Sequence, residues 1–254
     1  MNNFIAFQTL VVEEIRRFTR IWPQTLLPSV ITTALYFMIF GHLIGGRFGD
    51  IDGVSYMDYI VPGIILMSVI SNAYTNVVSS FYLRKFQRNI EELLVAPIAN
   101  WIILLGYICG GIARGMLVGV IVTAISLLFT DINVHHWVVT LTIYFLTATL
   151  FSLAGFVNAV FANSFDDIST IPNFVLTPLT YLGGVFYSIT MLPELWQQLS
   201  LANPILYMVN AFRYGLIGVT DIKIEFAFLM TGGFILFLTV FSLVLLHKGV
   251  GIKE

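Results

Sequence analysis

Phe226-Ala-Phe-Leu-Met-Thr-Gly-Gly-Phe-Ile-Leu-Phe-Leu-Thr-Val-Phe-Ser-Leu-Val-Leu-Leu246 runs for twenty-one residues without a formal charge. A helix rises about 1.5 Å per residue, so this stretch is long enough for the roughly 30 Å hydrocarbon layer of a bilayer. Five more segments pass the same test, at 22–45, 59–83, 101–129, 137–162 and 168–188. The expected fold class is therefore all-α integral membrane, with six transmembrane helices. A further apolar stretch, 204–217, is too short to cross and contains Arg213, which reads as a dip into the outer leaflet and back.

Composition agrees. Of 254 residues 58% are hydrophobic and only 10% charged, with a mean hydropathy of +0.91. So few charges cannot cover the outside of a soluble globule, which excludes a soluble enzyme. A net charge of −2 offers no basic field to nucleic acid. Cys109 is the single cysteine, so no intrachain disulfide and no cysteine metal site can form.

Orientation follows from Lys and Arg. With both termini cytoplasmic, that side holds Arg16, Arg17, Arg20, Arg84, Lys85, Arg88, Lys248 and Lys253, against Arg47, Arg213 and Lys223 outside. Arg16, Arg17 and Arg20 resemble the start of a signal peptide, but the apolar run after them is too long and lacks a small-residue cleavage site, so it reads as a retained span.

Three segments outside the spans carry structure. Over residues 4–21, Phe4, Phe7, Val11, Ile15, Phe18 and Trp22 fall on one helical face, and Glu13, Arg16, Arg17 and Arg20 on the other. This is an interfacial helix, either a lipid anchor or a contact for a soluble partner. Between the second and third spans, Phe86, Ile90, Leu93 and Leu94 recur at helical spacing until Pro97, and Arg88 is placed to pair with Glu91 or Glu92. That ridge either docks another protein or lies on the membrane surface. The outer stretch 189–224, punctuated by Pro193 and Pro204, reads as two short helices in the outer leaflet, with Arg213 snorkelling to the interface.

Chemistry is sparse. No Gly-Lys pair exists for a phosphate-binding loop, no Gly-x-Ser-x-Gly marks a hydrolase, and the four histidines lack metal-ligand spacing. The carboxylates lie in loops or at span ends, which leaves proton-coupled transport without its usual relay. Arg114, deep in the third span, must face protein, water or an acidic group; it serves either a structural pair or an anionic substrate or lipid head. Gly111, Gly115, Gly119 and Thr123 make a small-residue ladder for close helix approach, within or between subunits. Pro28, Pro62, Pro172 and Pro178 loosen helices that also carry Thr32, Thr33, Asn72, Asn76, Asn173, Thr177 and Thr180, groups that either glue helices together or line a pathway.

Three separated stretches, Phe86-Gln-Arg-Asn-Ile-Glu-Glu-Leu-Leu-Val-Ala-Pro97, Phe174-Val-Leu-Thr-Pro-Leu-Thr-Tyr-Leu-Gly-Gly-Val-Phe-Tyr187 and Asn203-Pro-Ile-Leu-Tyr-Met-Val-Asn-Ala-Phe-Arg-Tyr-Gly215, resemble the ABC-2 family of ABC transporter permeases. The resemblance extends over 1–254 as one transmembrane domain. It implies an N-terminal connecting helix at 4–21, a coupling helix at 84–97 and a re-entrant hairpin at 189–224. Docking to a separately encoded cytoplasmic ATPase would fall to Phe86, Arg88, Ile90, Glu91, Glu92, Leu93, Leu94 and Pro97, with Arg16 and Arg17 of the connecting helix. Pro204, Tyr207, Phe212 and Arg213 would gate the exit. The expected working unit, in a bacterial inner membrane, is two permeases and two ATPases exporting a substrate, with ATP and Mg held by the partner and no cofactor or metal on this chain.

Spans one, two and five would flank the pathway. Its candidate residues are Tyr36, Phe40, Asn72, Tyr74, Asn76, Phe174, Thr177 and Tyr181. Polysaccharides, lipid-linked glycans and drugs all suit such a lining. The competing functions are an ATP-independent secondary transporter or channel, and a membrane scaffold.

Overall fold

The structure, a computed structural model, describes residues 3–44, 49–51, 53–90 and 97–251, and the backbone alone for 41–44. Regular structure among these residues is helical, apart from one isolated antiparallel bridge between Ile51 and Val54. In chain order the helices are α1 (Asn3–Arg20), α2 (Trp22–Tyr36) running on into a π-helix (Phe37–Ile44), α3 (Tyr56–Phe86), α4 (Asn100–Ser126) and α5 (Trp137–Phe161). There follow α6 (Phe165–Ile171), a π turn (Pro172–Leu176), α7 (Thr177–Leu182), α8 (Glu194–Leu201), α9 (Pro204–Ile217) and α10 (Ile224–Lys248).

The axis of the bundle is α3. Ser55 starts it, accepting the Asp58 backbone N–H at 3.2 Å, and most of its length is buried between α4 and α5. Glycine makes that closeness possible. A Cβ on Gly111 of α4 would stand 2.6 Å from Val77 Cγ2, one on Gly115 2.9 Å from Ala73 Cβ, and one on Gly155 of α5 2.5 Å from the Tyr74 carbonyl oxygen. The small-residue ladder of α4 is thus consumed within the chain, where missing side chains let backbones meet. Gly106 and Gly110, on another face of α4, receive Leu10 and Glu14 of α1.

Five helices among the described residues are long and apolar enough to cross a membrane: Trp22–Phe40, Tyr56–Phe86, Asn100–Ser126, Trp137–Phe161 and Ile224–Lys248. The expected span at 168–188 is not one helix. α6, the π turn and α7 follow each other over 165–182, and the run stops at Gly183. Pro172 and Pro178 each remove a backbone donor, and the Pro172 carbonyl accepts both the Thr177 N–H, which closes the π turn, and the Thr177 Oγ1–H at 2.9 Å. Pro28 and Pro62 sit within stretches of regular α-helix.

Two side chains depart from expectation, Phe18 and Arg213. α1 stacks lengthwise on α4 through Ala6, Leu10, Glu14 and Phe18, so Phe18 of the expected apolar stripe turns into the protein while Phe4 and Ile15 stay exposed on its outside. An i, i+4 row that includes a carboxylate wins because Gly106 and Gly110 open a groove for it. α9 packs deep in the bundle. Nearly every residue from Ile205 to Leu216 is buried against α3, α5 and α10, and Arg213 is fully buried instead of snorkelling.

Candidate functional site

At its last turn α3 delivers Phe86 to the surface, 62% exposed. The Phe86 ring meets Phe165, the first residue of α6, edge-on at 5.1 Å, and Tyr82 meets the same ring at 5.0 Å. The helix is closed by Arg88, whose φ of 61° is left-handed and whose N–H donates to the Lys85 carbonyl at 3.0 Å. That turn corrects the expected ridge: Phe86 and Ile90 are not on one continuous helix, and Ile90 is buried while Phe86 is not. Arg88 and Pro97 are exposed. Glu91, Glu92, Leu93 and Leu94 lie outside the described residues.

The end of α3 is anchored on three sides. Lys85 Nζ donates to the Val160 and Ala162 carbonyls at 2.8 and 2.7 Å, finishing α5. Arg84 pairs with Glu13 of α1 and lies 5.8 Å from the Tyr107 ring centre on α4. α6 begins with a capping box: Ser164 Oγ accepts the Asp167 N–H, and the Asp167 carboxylate accepts the N–H groups of Asn163 and Ser164.

Deeper along α3 the charges of α1 turn inward. Glu14, 2% exposed, accepts from Ser80 Oγ and faces Arg17 at 3.3 Å. Arg17 also donates to the Asn76 carbonyl at 2.9 Å and to Asn76 Oδ1 at 3.0 Å. Burial pushes the Glu14 carboxyl above its ordinary pKa, against the pull of Arg17 and Ser80. Arg16 is exposed, so the two arginines grouped by sequence part company.

The expected pathway residues divide as well. Tyr36 and Tyr181 hydroxyls meet at 3.2 Å, and Phe186 fills the space between their rings and Phe40, stacked on Phe40 at 4.7 Å. Beside them a cavity of about 220 Å³ lies between α2 and α3, lined by Ser29, Thr32, Thr33, Ser68 and Asn72 among others. Asn72 Nδ2 donates to Ser29 Oγ and the Ser68 carbonyl, each at 2.9 Å. Phe174, 77% exposed, and Thr177 face outward from the π-turn segment. Tyr74 and Asn76 are buried in helix packing and join neither group.

On the opposite end of α3, Arg213 Nε donates to the Tyr59 carbonyl at 3.2 Å, a second nitrogen donates to the Gly184 carbonyl, and the guanidinium lies 3.8 Å over the Tyr59 ring. Tyr207 O–H donates to the Leu201 carbonyl, Phe212 stacks on Tyr144 at 5.8 Å, and Pro204 opens α9 behind the Asn203 cap. Arg213 and Phe212 thus tie α9 to α3 and α5, and Tyr207 ties it to the end of α8. Arg114 is 9% exposed, donates to the Thr25 carbonyl at 3.4 Å, and has no carboxylate partner among the described residues.

Sequence reasoning does not single out Glu14, Phe165 or Phe186. Glu14 alone carries a signal, the i, i+4 register with Leu10 and Phe18. Residues 5–217 match the family described as ABC-2 type transporter. The Escherichia coli (strain K12) protein named Inner membrane transport permease YadH is 56% identical over 254 residues, covering 99% of this chain and 98% of that protein. Nodulation protein J of Rhizobium leguminosarum bv. viciae is 24% identical over 205 residues, covering 78% of each.

Proposed function

The chain belongs to the ABC-2 family of membrane transport permeases, and from that premise we propose that it is the unpowered half of an ATP-driven exporter. Two copies and two separately encoded ATPases make the working unit. ATP and Mg stay on the ATPase. The chain crosses an inner membrane six times with both termini in the cytoplasm; the π-turn-containing segment 165–182 supplies the sixth crossing, and residues 84–97 are the coupling element.

The observation that carries this reading is the contact of Phe86 with Phe165. A push on the exposed end of α3 meets Phe165 directly, and Phe165 heads the interrupted segment that bears Tyr181. A helical run with a π turn between two prolines bends there most easily, so displacement at the coupling end becomes movement of the pathway aromatics instead of strain in the bundle. Arg84, Lys85 and Glu13 fix the base of that lever, and the closely packed α3–α4–α5 core serves as its fixed frame.

Extraction in mild detergent through a tag on this chain tests the reading. The expected outcome is an equimolar ATPase subunit, with ATP hydrolysis in the complex and none in the isolated chain. A solitary oligomer that moves substrate on an ion gradient replaces the reading with secondary transport.

A further inference from the structure

Between α1 and the last turns of α3 lies a cleft of about 990 Å³, lined by Glu13, Glu14, Arg16, Arg17, Arg20, Ile21, Ser80, Leu83, Arg84, Gln87 and Asn89. Its charges do not cancel. Glu13 is taken by Arg84 and Glu14 by Arg17, which leaves Arg16 and Arg20, one helical turn apart and both exposed, without a carboxylate partner among the described residues. Arg17 keeps a buried Nε with no hydrogen-bond acceptor. A buried cation left short of an acceptor is costly unless an anion joins it.

Position selects the anion. The cleft reaches Ile21, and Trp22, 55% exposed, opens the first apolar helix directly after it. An exposed Trp at that boundary marks the headgroup level of a bilayer. The apolar side chains of the cleft, Ile21 and Leu83, are themselves 42% and 38% exposed and offer a path for acyl chains. We infer that this cleft holds the phosphate of an anionic glycerophospholipid from the leaflet beside the N-terminus, gripped by Arg16 and Arg20. Guanidinium forks match phosphate oxygens in pairs, and Gln87 and Asn89 add amide donors around the headgroup. A lipid seated there touches both α1 and the end of α3, so it belongs to the coupling machinery without being cargo.

The test uses the full chain with Trp101, Trp137 and Trp196 replaced by Phe, leaving Trp22, in phosphatidylcholine vesicles. A few per cent of brominated phosphatidylglycerol is compared with the same amount of brominated phosphatidylcholine. Phosphatidylglycerol is expected to quench Trp22 at least about twofold more strongly, and the R16Q/R20Q variant to lose that excess. Native mass spectrometry of the unaltered chain reads the same binding without tryptophan replacement: phosphatidylglycerol is retained by the natural chain and released by R16Q/R20Q. Equal quenching by the two lipids together with no retained phosphatidylglycerol overturns the inference. So does an R16Q/R20Q chain that still binds phosphatidylglycerol but sheds its ATPase, which assigns the arginines to a protein interface. No ATPase is present in the lipid assays, so their failure leaves the exporter reading standing.

Discussion

Phe86→Asp, and separately Leu93→Asp seven residues further on, are expected to release the ATPase from detergent-solubilised complexes while leaving insertion and yield unchanged. Phe86 is held at the surface by its place at the end of α3, with its exposed ring supported on Phe165. An aromatic presented in this way acts as a docking anchor, and truncating such anchors costs about 2 kcal/mol or more, roughly thirtyfold in affinity. A buried carboxylate at the interface adds a desolvation penalty, so the loss grows further. The charged flanks matter less, because exposed ion pairs contribute about 0–1 kcal/mol. The measurement is the ATPase-to-permease ratio after tag purification, together with the ATP hydrolysed in vesicles. Full recovery of the partner by both variants would remove the docking assignment.

Arg213→Leu is expected to be the most damaging single change away from the coupling end. The guanidinium is fully buried, donates to the Tyr59 and Gly184 carbonyls, and covers the Tyr59 ring. Leucine fills part of the volume but strands the Gly184 carbonyl, at about 1–3 kcal/mol, gives up the added bond to the Tyr59 carbonyl within α3, and also loses the cation–π contact. A loss of about 3–5 kcal/mol is expected, read as a lower apparent Tm and a faster approach of protease to the α8–α9 hairpin. Arg213→Lys restores the charge but not the fork that reaches two carbonyls at once, so recovery should be partial. A surface, snorkelling Arg213 predicts that lysine substitutes fully.

Much of the fold is legible without coordinates because lipid imposes few choices. The uncharged run 226–246 reads as a span on length alone, and α10 occupies it. The glycine ladder of α4 announces close packing, although only tertiary structure shows that α3 fills it within the same chain. The rest fails where a local pattern is overruled by a neighbour. Glu14 belongs to the polar set by residue type, yet Ser80, Arg17 and the bare backbone of Gly110 make the buried side of α1 its home. Hydropathy over 168–188 does not register that two prolines six residues apart interrupt the hydrogen-bond ladder. Arg213 sits on an apolar helix whose burial depends on three distant helices. In the site, Tyr36, Phe40 and Tyr181 do come together, but the Phe186 ring that joins them is indistinguishable in sequence from any other span aromatic.

The account rests on the end of α3 pointing toward the cytoplasm, where a motor protein can reach it. The most direct measurement places a cysteine at Arg88, exposed and just past that end, after Cys109, the lone native thiol, is replaced by Ser. A membrane-impermeant maleimide is then offered from either side. Labelling confined to inside-out vesicles is the predicted result; labelling of intact spheroplasts from the periplasmic face contradicts the account.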